Sequence, residues 1–551
     1  MASPFAETSA GPGSEGGRYA PLGTGLSRLR EARPSRRELL AGGAAAASWI
    51  GATCSRRGLP QVDAALPGAT GNPTHPPANP IEVALRAQSA EAILDSAGGR
   101  GAQVWRFEGK LLVGGPETLL PSTSYLGPTF RVPRGQRIRV HFDNGLQEPS
   151  IVHWHGLQVS QENDGHPRFA VGPGTGYDYD FTVENRPGTY WYHPHPDGRT
   201  GPQVYAGMAG LFLVVDSDDE ARGLPTGEFD LPLVIQDRLL GSDGELVYAP
   251  NPMIGFLGDR IFVNGQQTPD LTVKAGSYRL RILNGSNSRI YKLAYSDSSP
   301  MTVIASDGGL LGAPVRKPYV VLAPGERIEI WADFGRSPAG GDVWLESRAF
   351  SGGGGSMGMG GMMSMGSMGA GSRLPNGAAF RVCRFVVRGT GRTLRLPARF
   401  EPLSWRPDDE VVNRGQPRRI DVSMAMMRWM LNGQSFDMTD VAANEKVKLG
   451  TTEDWEVRNV GGMMAMPHPI HLHAGQFQVL ERVVAPAWQT VAATLQAGLV
   501  DEGWKDTFLL LPGETVRLRM RFERHPGLFL YHCHNLEHED AGMMRNFLIE
   551  A

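Results

Sequence analysis

Short stretches of alternating apolar and polar residues recur along the chain, and three of them end on asparagine: Val140-His-Phe-Asp-Asn144, Leu280-Arg-Ile-Leu-Asn284 and Trp455-Glu-Val-Arg-Asn459. In each, apolar residues stand two and four positions before the Asn, the period-2 signature of a half-buried strand running into a turn. A longer repeat surrounds the outer two. Pro173-Gly174, Pro187-Gly188 and His193-Pro194-His195 have the internal spacing of Pro512-Gly513, Pro526-Gly527 and His532-Cys533-His534. The middle copy keeps Pro324-Gly325-Glu326 and a strand pattern from Arg327 to Ala332, but no histidine occurs between His195 and His468. The pattern predicts an all-β chain of three consecutive β-sandwich units, at about 81–220, 221–390 and 391–551, the middle one without a metal site.

Length and composition fit that picture. A chain of 551 residues exceeds what one core supports, and 71 Gly with 41 Pro favour short strands and turns over helical bundles. A net charge of −3 gives no electrostatic case for nucleic acid or an anionic membrane surface, which leaves small-molecule chemistry. The three cysteines, Cys54, Cys383 and Cys533, are too few and scattered for a disulfide framework. Cys383 shares a strand face with Phe385 and Val387 and is expected to be an inert buried thiol.

The N-terminus reads as an address. Ser35-Arg36-Arg37-Glu38-Leu39-Leu40 precedes a weakly apolar Ala/Gly stretch ending near Ala52, which resembles a signal for the twin-arginine export machinery and is too short for a stable membrane anchor. Residues 1–54 are thus expected to be an export signal with a long leader. Residues 55–80, rich in Pro, Gly and Ala, read as a linker. The mature protein is expected outside the cytoplasm, in a periplasm or at the cell exterior. Cys54 follows Gly51-Ala-Thr, a poor match to a lipid-attachment box.

Ten of the 14 histidines fall in four clusters: His153-Trp-His155, His193-Pro-His195, His468-Pro-Ile-His471-Leu-His473, and His532-Cys533-His534 followed by His538. Four His-x-His pairs are far more than chance placement gives. On a strand, residues i and i+2 project from one face, so each pair offers two imidazoles to a common centre. Cys533 and His468 have the opposite parity, which implies two sites back to back. One would gather His468, Cys533 and His538 with Met543 as a weak axial partner, the ligand set of an electron-transfer copper; zinc has no redox use for an axial Met. The other would hold eight imidazoles, enough for three coppers with open positions for oxygen. Because Cys533 lies between two cluster ligands, electrons pass between the sites through very few bonds. Dioxygen needs four electrons to become two waters, which matches one copper plus three. His141, His166 and His525 have no partner pattern and read as structural.

On these motifs the chain resembles the multicopper oxidases, the family of laccases and bacterial cuprous oxidases, over everything after residue 80. The resemblance implies three cupredoxin-like Greek-key domains and four copper ions. It assigns His468, Cys533, His538 and Met543 to the type 1 copper, and His153 and His471 to the type 2 copper. His155, His193 and His534 would hold one type 3 copper, and His195, His473 and His532 the other. Asp164 and Glu539 match acids to which the family assigns proton delivery, the role carboxylates near the cluster would play. Glu537 and Asp540 are expected to be surface charges.

The reductant is approached through methionine. Met357, Met359, Met362, Met363, Met365 and Met368 present six thioethers on the Gly/Ser-rich segment 351–372, and thioether sulfur selects soft Cu(I). Met463, Met464 and Met466 precede His468, where a Cu(I) ion could dock. In the family such an insert marks cuprous oxidases of copper tolerance, so Cu(I) is the expected substrate. A small phenol or aromatic amine is the alternative, with the Met segment as a flexible cover. A copper-binding or storage protein without turnover is the reading of another class. Met424, Met426, Met427 and Met430 around Trp429 read as packing.

Overall fold

The computed structural model describes residues 79–94, 101–336, 341–352, 373–400, 402–425, 428–460 and 465–551. The expected export signal, the linker up to residue 78, the methionine-rich segment from 353 to 372, Met463 and Met464 lie outside them. Among the described residues no helix is long and apolar enough to cross a membrane.

Six sheets fall into three pairs along the chain, giving three β-sandwich domains. The first pair has four and five strands, the second seven and five, and the third five and five. Alternation in the sequence explains which faces meet. In Arg137–Asn144, for example, Ile138, Val140, Phe142 and Asn144 point inward while Arg137 and His141 are exposed. Each domain has its own apolar core: Val83, Phe107, Val140 and Trp154 in the first, Leu280, Ile282, Leu345 and Cys383 in the second, Val457, Phe508, Phe529 and Phe547 in the third. Cys383 is buried beside Phe385 and Val387, and burial pushes its thiol well above the ordinary range.

The repeated asparagine has one job in all three domains. The strand it ends pairs in parallel with the first strand of its domain, in the registers Ala87↔Asn144, Ile235↔Asn284 and Val422↔Asn459. Its buried side-chain amide then donates to backbone carbonyls further along the chain: Glu148 and Val171 from Asn144, Arg289 and Leu322 from Asn284, Met466 from Asn459. A short amide that can bond two carbonyls at once closes the turn that the strand runs into.

The seam between the first two domains is charged. Glu329 accepts from Arg279 at 2.7 Å and from Arg281 at 2.7 Å, and both arginines are buried. Arg281 also donates to the Thr189 hydroxyl, on the strand that carries His193.

Candidate metal centre

Two strand pairs set the histidines. In the first domain Val152–His155 and Gly188–Pro194 run antiparallel with His153 opposite His193. In the third, His468–Leu472 lies between Thr507–Leu510 and Gly527–Cys533, with His471 opposite His532 and Ile470 opposite Cys533. Residues directly opposite on an antiparallel pair share a face. His471 and His532 therefore face the first domain, while Cys533 and, by parity, His468 face the third domain's core.

The eight imidazoles meet between the outer domains. His153 Nε2 is 3.4 Å from His471 Nε2, His195 Nε2 is 3.4 Å from His532 Nε2, and His473 Nε2 is 3.1 Å from His532 Nε2. His195, His473 and His532 bring three ring nitrogens within 4.8 Å of one another. The rings of His155, His193 and His534 sit at centroid separations of 5.6, 4.9 and 5.3 Å.

The outward nitrogens decide the tautomers. Nδ1–H of His153 donates to the Asp164 carbonyl at 2.5 Å, that of His193 to Pro194 at 2.9 Å, that of His471 to Asp506 at 2.8 Å and that of His473 to the Asp164 carboxylate at 2.7 Å. His532 Nδ1 lies 3.2 Å from the Cys533 carbonyl and 3.0 Å from Glu539 Oε2. A carbonyl or carboxylate oxygen can only accept, so each of these rings turns its Nε2 lone pair inward, as metal-binding histidines do. Several buried ring nitrogens have no partner among the described residues: His155 Nδ1, His193 Nε2, His195 Nδ1, His468 Nε2 and both nitrogens of His534. Burial, reinforced in most cases by neighbouring imidazoles, pushes His153, His155, His468, His471, His473 and His534 well below the ordinary histidine range. It pushes His193 to about 3, and His195 and His538 to about 4. Neutral, desolvated imidazoles with free lone pairs aimed at one another fit a metal cluster, which would give these buried nitrogens a partner.

The second site lies on the other face of the same strands. Cys533 Sγ is 3.6 Å from His468 Nδ1 and 3.8 Å from His538 Nδ1, and Met543 is fully buried in the same core. His538 Nε2–H donates to the Met253 carbonyl at 3.1 Å, which leaves Nδ1 free towards sulfur. Trp429 packs against both rings, at 4.6 Å from His468 and 5.5 Å from His538, and its Nε1–H donates to the same Met253 carbonyl. Soft thiolate with two imidazoles suits copper.

Several residues stand differently from what the sequence suggested or were not anticipated. Glu537 and Asp540, expected at the surface, are built into the fold. Glu537 is 8% exposed and accepts from Tyr248, Phe256, Asn287 and Ser288 of the middle domain. Asp540 accepts the backbone N–H groups of Thr200 and Gly201 at 2.8 Å. The short helix Leu536–Asp540 is packed against Thr200–Ala206 and the middle domain, so its acids face protein donors. Met466 is 5% exposed and belongs to the third domain's core. Asp506, in Trp504-Lys-Asp-Thr507, carries no motif of its own in the sequence, yet it sits beside His155 and His471. His166 is buried and donates from Nε2 to Asn546, a structural contact. Asp164 and Glu539 are both buried against cluster histidines, Glu539 Oε1 lying 3.5 Å from His195 Nε2.

Comparison with known proteins decides the family. The multicopper oxidase family profiles match residues 114–219 and 411–551. Bilirubin oxidase of Albifimbria verrucaria is 32% identical over 432 residues, covering 76% of this chain and 71% of its own length. The chain belongs to the multicopper oxidases. The multicopper oxidase mco of Staphylococcus aureus is 30% identical over 78% of this chain and 83% of its own. Among solved structures, the McoA multicopper oxidase of the hyperthermophile Aquifex aeolicus superposes with a TM-score of 0.71 at 32% identity, covering 88% of this chain and 97% of that one. As a multicopper oxidase this chain is an oxidoreductase with copper as cofactor, dioxygen as acceptor and a reducing substrate as donor.

Proposed function

We propose that this multicopper oxidase couples one-electron oxidation of its reductant to four-electron reduction of dioxygen to water with four coppers, and that the reductant is Cu(I). The observation that carries the first part is His532-Cys533-His534, one strand end whose cysteine faces one buried ligand set and whose histidines face the other. His468, Cys533, His538 and Met543 would hold the type 1 copper, His153 and His471 the type 2 copper. His155, His193 and His534, and His195, His473 and His532, would hold the type 3 pair. Copper at these sites supplies one-electron transfer and open positions for dioxygen.

The chain's own residues handle the protons. Burial pushes the Asp164 carboxyl well above the usual carboxylate range, so it can hold a proton beside His473. At Glu539 burial is the largest single influence and acts in the same direction, but the neighbouring imidazoles, His532 first and then His195 and His534, together outweigh it and hold its carboxyl well below that range. Two carboxyl groups with environments that separate them in this way divide the work of donor and acceptor. Asp164→Asn is expected to slow steady-state oxygen uptake by about 100-fold or more while the visible absorption still bleaches at the wild-type rate under anaerobic reductant. Wild-type turnover in this variant would remove Asp164 from the mechanism.

Cu(I) as reductant is supported by the six thioethers between Met357 and Met368, a soft-ligand supply that a plain tether does not need. Export by the twin-arginine route would put the activity in a periplasm or at the cell exterior, where Cu(I) oxidation serves copper tolerance. A phenolic or aromatic amine substrate is the second reading. Similarity to a bilirubin oxidase and the burial of Met466 favour it. The test is oxygen uptake by the copper-loaded protein with stabilised Cu(I) or a simple phenol, repeated after deleting Gly352 to Gly371. For a cuprous oxidase, Cu(I) turnover falls on deletion while phenol oxidation holds or rises. Preferred phenol turnover with no effect of the deletion on Cu(I) makes the protein a laccase.

A further inference from the structure

The middle domain has no histidine cluster, yet one of its turns reaches the eight-histidine site. Pro324-Gly325-Glu326 occupies the place that Pro173-Gly174 and Pro512-Gly513 occupy in the outer domains. Gly325 has φ +83, and a side-chain carbon there would stand 3.0 Å from the His534 ring, so only glycine lets this turn approach the cluster. Two residues on, Arg327 is buried and uses all five of its N–H groups. Nη1 and Nη2 each donate to the Asp506 carboxylate at 2.6 Å. The others go to carbonyls: Nε to Thr189 at 3.0 Å, Nη1 to Gly325 at 3.0 Å and Nη2 to Asp307 at 3.2 Å. A fully satisfied, bidentate guanidinium is the most rigid way to hold a carboxylate.

What Asp506 does with that rigidity is visible at His155. His155 Nε2 lies 3.1 Å from Asp506 Oδ1 and 3.0 Å from Thr507 Oγ1. The carboxylate can only accept, so Nε2 carries the proton and Nδ1 is the free lone pair. Nδ1 is the nitrogen of His155 that has no partner. This tautomer is the reverse of the one His153, His193, His471 and His473 adopt. The backbone carbonyl of the same Asp506 takes the Nδ1–H of His471. One residue thus orients a ligand from each outer domain, in opposite tautomers, and its carboxylate is held in place by the middle domain. Behind it Lys505 pairs with Asp307 at 3.1 Å and Glu326 at 3.0 Å, tying the turn to the strand that begins after Asp506.

We propose that Arg327 is a positioning residue for the trinuclear site: by fixing the Asp506 carboxylate it fixes the Nδ1-inward tautomer of His155 and so the hold on copper between the outer domains. This rests on the reading of His155 and His471 as copper ligands. Removing a partner that orients a metal-bound histidine typically weakens the metal about 10- to 100-fold. The test variant is Arg327→Met combined with Asp506→Asn, which removes both charges together and leaves no unpaired buried ion. Copper per chain, the type 2 electron paramagnetic resonance signal and the visible type 1 absorption are followed while a copper chelator is titrated into variant and wild type.

The expected result is loss of the copper that His155 would help to hold, read as a fall in copper per chain at about 10- to 100-fold lower chelator concentration. The visible absorption should keep its wild-type resistance, although the metal-free variant should melt lower because the carbonyls of Thr189, Gly325 and Asp307 lose their donor. Copper per chain that resists the chelator as in wild type overturns the proposal. If the double variant fails to fold, Arg327→Lys, which keeps the charge and loses the fork, is read in the same way, and unchanged resistance there overturns it equally. A wild-type protein that never shows a type 2 signal when copper-loaded contradicts the four-copper reading instead.

Discussion

Cys533→Ser is expected to abolish the intense visible absorption and to lower reductant-driven oxygen uptake by more than the ~100-fold that loss of a supporting partner costs, because a ligand itself is removed. A buried serine hydroxyl keeps its proton and is a hard, poor ligand where two imidazoles and a thiolate suit copper. Sγ of Cys533 stands 3.6 and 3.8 Å from the two Nδ1 atoms, close enough for the three donors to share one ion. The eight-histidine site does not depend on that sulfur. Its histidines are fixed by the His471↔His532 register and by the outward Nδ1–H bonds, and the type 2 signal should survive the substitution. The two readouts therefore separate, with colour and turnover lost and cluster copper kept. Oxygen uptake within tenfold of wild type would mean that electrons reach the histidine cluster without Cys533, and the route along His532-Cys533-His534 would have to be abandoned.

What the sequence could reveal about this site was whatever strand parity encodes. Two imidazoles at i and i+2 must share a face, and Cys533 between His532 and His534 must face the other way. The pairing of His471 with His532 and of Ile470 with Cys533 follows that rule. The repeated asparagines announced three related units for the same local reason: each closes a turn with its own side chain. The supporting residues left no such mark. Asp506 is one acid before a strand, and its partner Arg327 lies 179 positions away. Met253, whose carbonyl takes the proton of His538, acts through its backbone, which no side-chain pattern reports. Glu537 and Asp540 look like solvent-facing acids in a charged stretch. Only the tertiary fold reveals that the middle domain supplies Tyr248, Asn287 and Ser288 to Glu537, and that the first domain supplies the N–H groups of Thr200 and Gly201 to Asp540. Contacts made across domains are invisible to any local periodicity, and they are the ones that align the metal ligands.

Stripped of metal, the protein is expected to lose its fold on mild acidification, while the copper-loaded form holds to lower pH. Burial depresses His193 to about 3 and His195 and His538 to about 4 in the folded chain. In the unfolded chain these side chains titrate near the ordinary value of about 6.5. Below that value the unfolded state binds more protons than the folded one, so stability falls with pH from about 6.5 down to the folded values and levels off beneath them. At pH 5 each such histidine costs about 2 kcal/mol, and three cost about 6, which is comparable with the roughly 5–15 kcal/mol that a folded chain has in total. The other cluster histidines are shifted in the same direction and add to the loss, while the raised carboxyl of Asp164 takes up its proton in the folded state and offsets part of it. Copper bound to the same lone pairs competes with the protons, so loading the sites removes the penalty over most of this range. Tryptophan fluorescence followed from pH 7 to pH 4 should show a cooperative transition between about pH 6 and pH 5 for the stripped protein only. A stripped protein that stays folded at pH 4 would mean that the buried imidazoles accept protons without opening the structure. The cluster would then be solvated when empty, and the sealed, neutral ligand shell on which the copper reading rests would be wrong.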